Sequence, residues 1–326
     1  MTWLVWRQFR VPALSVCAAL VVVAAVLAVT GPDLVGRTNF SHVEALYTGT
    51  LLAVYVLPAV LGVFWGAPMV TRELETGTHS LVWNQSVTRT RWLATKFAVG
   101  VPAAMAAAGL LTLAVGWWAA PIDAAAELEG ERFTRILPEV FAARGVVPVG
   151  YAAFALLLGV AVGMVVRRTV PAMALTLVVF AAVQVLVPLL VRPHLLPATE
   201  ETVVITPENV RQIGGDENGV IDFMTIAPPS GAWVLTNETV DPAGTAVRPL
   251  PEAVQNCMPK PGSGAFPERG AVSKCMARLT DLGYRQHLVY QPGSRFWPLQ
   301  WLELGLFLVL SALLAWFSFR RLRHLS

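Results

Sequence analysis

The chain alternates long apolar runs with shorter polar breaks. Six runs stand out, at about residues 11–29, 45–70, 93–119, 146–166, 169–191 and 298–319. An α-helix rises ~1.5 Å per residue, so about twenty residues cross the ~30 Å hydrocarbon core of a bilayer. Each run meets that length, and the pattern predicts six membrane-crossing helices. The first run is too long for the apolar part of a secretory leader, and no convincing small-x-small cleavage site follows it before Gly31-Pro32. Only Arg167, Arg168 and Thr169 separate the fourth and fifth runs, which predicts a tight helical hairpin. Pro58 and Pro102 each remove a helix hydrogen bond and predict kinks in spans two and three. Gly62 and Gly66 in span two, and Gly159 and Gly163 in span four, are spaced to let helices approach closely, most simply for packing within the chain.

The polar segments divide into four kinds. Residues 1–10 mix Trp3, Trp6 and Phe9 with Arg7 and Arg10, which suits an interfacial amphipathic helix. Residues 121–145 hold helix formers and predict one or two short helices. Residues 192–297 are long enough for a small domain. There, 203–206, 219–226 and 231–236 read as strands between turn signals, and Val272 to Leu282 reads as a helix, followed by Gly283 and a further strand. Asn237-Glu238-Thr239 matches a glycosylation sequon, a pattern frequent by chance. The fourth kind is the charged island at 71–96, between spans two and three.

Composition agrees with the pattern: 55% of the residues are hydrophobic and 14% charged, against roughly 25% charged in soluble domains. The net charge of +3 is too small to point to nucleic acid. Where the basic residues fall matters more. With the N-terminus in the cytoplasm, the inner segments hold Arg7, Arg10, Arg72, Arg89, Arg91, Lys96, Arg167, Arg168, Arg320, Arg321 and Arg323, which is 11 of the 24 Lys and Arg. The short outer loops hold Arg37, Arg132, Arg135 and Arg144. Positive residues favour the cytoplasmic side. The expected architecture is therefore an α-helical polytopic membrane protein of six transmembrane helices with both termini cytoplasmic. A small α+β extracellular domain, 192–297, lies between spans five and six, and a basic tail ends the segment 298–326. The expected location is a plasma membrane of bacterial type. Cys257 and Cys275 fall in that outer domain, where a disulfide is the default and a zinc pair less favoured for want of a CxxC or His cluster. Cys17 lies within the first run.

The chemistry absent from the sequence narrows the function. No Asp, Glu, Lys, Arg or His lies deep in a run; Lys96 and Glu303 fall near the ends. That argues against coupling to a proton or sodium gradient and against a polar channel. No Gly-Lys dipeptide exists to build a phosphate-cradling loop, and the chain has neither an HExxH nor a GxSxG motif. No catalytic, cofactor-binding or metal-binding residue is expected in this chain.

In the island, Thr78 is placed to cap a short helix starting near His79, with Leu81, Val82 and Trp83 giving it an apolar side, and Ser86 or Thr88 is placed to cap the helix that follows. Such an element can dock on a soluble partner; the plainer alternative is a solvated loop. Glu73-x-Glu75-x-Gly77-Thr78, then Leu81, Ser86-x-x-Arg89 and Lys96, resembles the signature of ABC exporter permeases of the drug and polysaccharide export class. The longer outer segment and His79 depart from the usual pattern. The resemblance implies that residues 71–92 form a coupling helix, with Glu73, Glu75, Gly77, Thr78, Leu81 and Arg89 contacting an ABC ATP-binding subunit. ATP and Mg would sit on that partner. It also implies a second permease subunit, as a homodimer or heterodimer, and export of a hydrophobic or amphipathic cargo. A second hypothesis is a membrane-anchored sensor or scaffold acting through its outer domain; a third is a membrane-embedded enzyme.

Overall fold

The computed structural model describes residues 2–37, 40–77, 88–129, 134–215, 220–255 and 269–323. Two compact units emerge: Met1–Leu196 together with Ser294–Ser326, and Pro197–Gly293.

The first unit is a helical bundle. Its helices are α1 (Thr2–Thr30), α2 (Glu44–Val60), α3 (Pro68–Glu75), α4 (Arg89–Glu129), α5 (Pro138–Phe141), α6 (Val147–Val166), α7 (Thr169–Leu186) and, after the second unit, α10 (Phe296–Leu322). Six segments are long and apolar enough to span a membrane: Arg10–Leu34, Glu44–Glu75, Arg89–Ala125, Val147–Val166, Thr169–His194 and Gly293–Leu322. They coincide with the six runs. The expected separate helix over 1–10 is continuous with the first span in α1, because Pro12 sits within a helix it does not terminate. The third span likewise runs through Pro121 to Glu129, where an Ala-rich sequence sustains the helix past the expected break.

Span four is the hub. Its apolar window is 78% buried within the chain, against 11% for span one and 17% for span five. It owes that place to small residues. A Cβ added at Gly62 would lie 2.6 Å from the Ala155 carbonyl oxygen. One at Gly159 would strike the Gly62 carbonyl and lie 2.7 Å from the Ala67 nitrogen. The glycines thus form a backbone-to-backbone seam between spans two and four within one chain, as the spacing suggested. Where that seam runs, Leu61–Gly66 is a π-helical turn just after Pro58, which removes an α-helical donor. Spans four and five join through Arg167, whose φ of 58° reverses the chain, its N–H bonding the Gly163 carbonyl at 2.9 Å.

The second unit is α+β. Strands β1 (Thr199–Val203), β4 (Trp233–Val240) and β5 (Arg285–Gln291) form an antiparallel sheet in the order β1-β5-β4, and β2 (Val210–Gly215) pairs with β3 (Ile221–Ile226). A short helix α8 (Glu252–Gln255) and helix α9 (Arg269–Asp281) complete it. Helix α9 buries Cys275, Met276 and Leu279 against Ile205, Ile221 and Met224. It ends on Gly283 (φ 86°), with Gly283 N–H bonded to the Thr280 carbonyl and Tyr284 N–H to the Leu279 carbonyl, both at 3.0 Å. The strand expected at 203–206 lies four residues earlier. Asn209 turns the chain there, accepting from the Thr206 N–H at 2.9 Å and donating to the Val204 carbonyl at 2.8 Å, while Ile205 serves the core. Asn237 is no free acceptor for a sugar: its amide accepts from Gln286 at 2.8 Å and donates to the Ile226 carbonyl at 2.9 Å.

Candidate functional site

Spans two and three converge where the charged island leaves and re-enters the bundle. Glu73, in the last turns of α3, points at α4. Its Oε1 accepts from Lys96 Nζ at 2.6 Å, and its Oε2 from Trp92 Nε1 at 3.1 Å. Lys96 also donates to the Met69 carbonyl at 2.6 Å and lies 4.3 Å from the centre of the Trp92 ring. The ammonium is 2% exposed, so a charge that the sequence placed near an interface is instead buried with three partners of complementary character. Lys96 therefore ties α3 to α4.

Two residues on, Glu75 binds a different helix. Its Oε2 accepts from the Thr169 N–H at 3.1 Å and the Thr169 hydroxyl at 2.7 Å, at the first turn of α7. An anion there satisfies orphan amide donors and faces the positive end of the helix dipole. Thr71 adds a hydroxyl contact to Thr169 at 3.0 Å. Gly77 then takes a φ of 70°, which a side chain resists, and turns the chain out of α3. On the return, Thr88 caps α4, its hydroxyl accepting from the Arg91 N–H at 3.3 Å, as expected for one of the two candidate caps. Arg89 opens α4 on an exposed surface. Thr78 and Leu81 lie outside the described residues. Of the island residues singled out in the sequence, the structure thus brings Glu73 and Glu75 together as two clamps on the roots of the segment, with Gly77 as its exit.

The opposite end of the bundle holds a second cluster. Arg192, at the end of span five, and Glu303, in α10, are both fully buried; Arg192 Nε donates to Glu303 Oε2 at 2.7 Å and Nη2 to Oε1 at 3.0 Å. Tyr151 of α6 donates its hydroxyl to Glu303. The Arg192 guanidinium lies 4.3 Å from the Phe141 ring centre and reaches the Pro138 carbonyl, which also accepts from Tyr55 at 3.1 Å. Gln300 caps α6, its Oε1 accepting from the Val146 and Val147 N–H groups at 2.9 and 3.0 Å. Spans two, four, five and six are locked here. Sequence reasoning missed the pair because Arg192 and Glu303 are 111 positions apart and each borders an apolar run.

Among the described residues, no group of three His, Cys, Asp or Glu side chains is placed to hold a metal ion. Cys17 is a free thiol, whereas Cys275 is buried and not free. Cys257 lies outside the described residues, and its pairing with Cys275 remains an expectation. It predicts that both thiols resist a maleimide reagent until a reductant is added. Prompt labelling of both in the folded, unreduced protein would rule the bridge out.

These features define a class: a multi-pass helical membrane protein in which the charged segment between spans two and three leaves from a helix end that is clamped to spans three and five. The chain belongs to the ABC-2 membrane transporter related family, whose model matches residues 16–192, more than half of the 326. That family supplies membrane components of transporters, generally non-catalytic ones, and the match runs from within the first span to near the end of the fifth and takes in both clamps. No curated protein and no solved structure matches the chain.

Proposed function

We propose that the protein is the membrane-spanning permease subunit of an ATP-driven exporter, worked by a separate ATP-binding subunit that grips residues 71–92. The observation that carries this reading is the double clamp. A segment that leaves α3 at Gly77 and returns at Thr88 is fixed at one root by Glu73–Lys96 and Glu75–Thr169, which join spans two, three and five. A push on the segment is therefore passed to three spans instead of being absorbed in a loose loop. Glu73 and Glu75 then act as transmitting brackets more than as contacts for the partner, which leaves Thr78 and Leu81 as candidates for that contact.

Orientation supports the same reading. Arg72, Arg89, Arg91, Arg167 and Arg168 all lie at the clamped end, with Arg320 and Arg321 in the last turn of α10, which favours the cytoplasm for that end. Both termini would then be cytoplasmic, and Pro197–Gly293 would lie outside, in a plasma membrane of bacterial type. Spans one and five, the least buried, leave faces for lipid or for a second permease subunit. ATP and Mg belong to the partner, and the cargo, facing an apolar intramembrane surface, would be hydrophobic or amphipathic.

The test is reconstitution with the ATP-binding subunits encoded nearby. We expect one to co-purify and its ATPase rate to respond to the permease. Glu75→Ala and Gly77→Pro should each abolish that response and the associated efflux, while the permease remains folded. Failure of every candidate to bind, together with unchanged efflux by both variants, would overturn the proposal and favour a sensor or scaffold acting through Pro197–Gly293.

A further inference from the structure

At the end of the bundle away from the clamps, a cavity of about 490 Å³ opens between spans three and six. The sequence makes room for it at Gly116 of α4, where an added Cβ would meet nothing within 4 Å. The space is walled by Leu113 and Trp117 of α4, by Val146 just before α6, and by Phe296 and Trp297 of α10. The volume is that of a drug-sized ligand rather than of a packing defect. Trp117 and Trp297 are 60% and 50% exposed, so the mouth is aromatic and open.

The walls are fixed before any ligand arrives. Val146 is held by Gln300, whose Oε1 accepts from its N–H at 2.9 Å and whose Nε2 donates to the Phe141 carbonyl at 2.8 Å. Phe296 packs edge-on against Phe141 at 5.4 Å and against Trp297 at 5.3 Å between ring centres. Charge is present in the wall, but it is turned inward. Arg144 and Asp123 are buried together with Tyr47: Arg144 Nε donates to Asp123 at 3.1 Å, and the guanidinium stands 5.1 Å from the Tyr47 ring centre. Arg135 lies over the Phe296 ring, 5.4 Å from its centre. A charged ligand would lose its hydration here without gaining an ion-pair partner, whereas a neutral one loses little. Aromatic walls also favour rings, through offset-stacked and edge-to-face contacts that an acyl chain cannot make.

We propose that this cavity binds a neutral, compact aromatic molecule of drug size. Its rings would lie against Trp117, Phe296 and Trp297, and its edge would fill the space that Gly116 leaves. A preformed apolar pocket with rigid walls suits such a ligand, because little ordering is left for binding to impose. A phospholipid chain is the competitor, since the mouth lies on spanning helices. It too would be buried there, but it would lose its conformational freedom and gain no ring contact. The site goes beyond the ATP-driven reading and stands without it, since it uses neither the clamps nor the segment they hold.

The experiment is photolabelling of the full chain in phosphatidylcholine nanodiscs, read by peptide mass spectrometry. One arm offers benzophenone, a neutral two-ring molecule that bonds to nearby C–H groups under ultraviolet light. The other offers a phosphatidylcholine that carries a diazirine in its acyl chain. Benzophenone adducts at Leu113 and Trp117 should saturate with concentration, while those at the exposed Val178 and Leu189 of span five should rise in proportion to the dose. The diazirine lipid should label span five in preference to the cavity. Gly116→Leu fills the cavity and should cut the saturable adducts about tenfold, the factor that corresponds to ~1.4 kcal/mol. Trp297→Ala removes part of a wall, leaves the Arg144–Asp123–Tyr47 cluster untouched, and should weaken the same adducts. Gly49→Leu, equally open but outside the cavity, should change nothing. Adducts that never saturate, adducts undiminished in both folded variants, or a diazirine lipid that concentrates in the cavity and is displaced by Gly116→Leu would each overturn the proposal.

Discussion

Arg192→Met is expected to cost the protein about 3–5 kcal/mol, because it strands the Glu303 carboxylate in a fully buried site. Two hydrogen bonds to the carboxylate are lost at once, and the donor left to it is the Tyr151 hydroxyl. Burial of an uncompensated charge dominates over the cavity that methionine leaves, since methionine fills most of the arginine stem. The same argument predicts the rescue. Arg192→Met, Glu303→Leu and Tyr151→Phe together remove both charges and the orphaned hydroxyl, and should recover most of the loss. Chemical denaturation in detergent, followed by tryptophan fluorescence, reads both. A loss below about 1 kcal/mol for the single variant would mean that water reaches the pair, as it does exposed ones.

Gly159→Ala is expected to be comparably harmful for a different reason. The added methyl meets backbone, the Gly62 carbonyl and the Ala67 nitrogen, which cannot swing aside as a side chain does. Overpacking of this kind costs about 1–3 kcal/mol even where neighbours can yield. Spans two and four must separate to admit it. The loss should therefore appear in transport as well as in melting temperature. Gly305→Ala supplies the contrast. It lies in α10 with nothing within 4 Å of an added Cβ, and alanine there should gain up to about 1 kcal/mol from helix propensity. Equal effects of the two substitutions would show that the seam is not the constraint.

The spans were legible in the sequence because hydrophobic length is a one-dimensional signal, and an apolar run needs no partner to be recognised. The Gly62, Gly66 and Gly159 seam was legible as spacing, though not which helices it joined. What escaped was long-range pairing. Arg192 borders a run and was counted with the outer segment, and nothing local marks it as the partner of Glu303. Lys96 was assigned to an interface on position alone, whereas Glu73 and Met69 make its burial tolerable. Strand β2 was missed because Val210–Gly215 has two glycines and no clean alternation; it exists by pairing with β3. The island was legible as a motif, but the motif did not tell that its two glutamates turn inward, onto α4 and α7.

The π-helical turn at Leu61–Gly66 gives the length of span two a meaning of its own. One residue accommodated in a widened turn swings everything downstream by about 100° around the helix axis, since an α-helix turns through 3.6 residues. That swing aims Glu73 at Lys96 and Glu75 at Thr169. A relative one residue shorter here would keep every charged side chain of α3 yet present them to the wrong neighbours. Register, as much as composition, is thus what this span has to inherit intact.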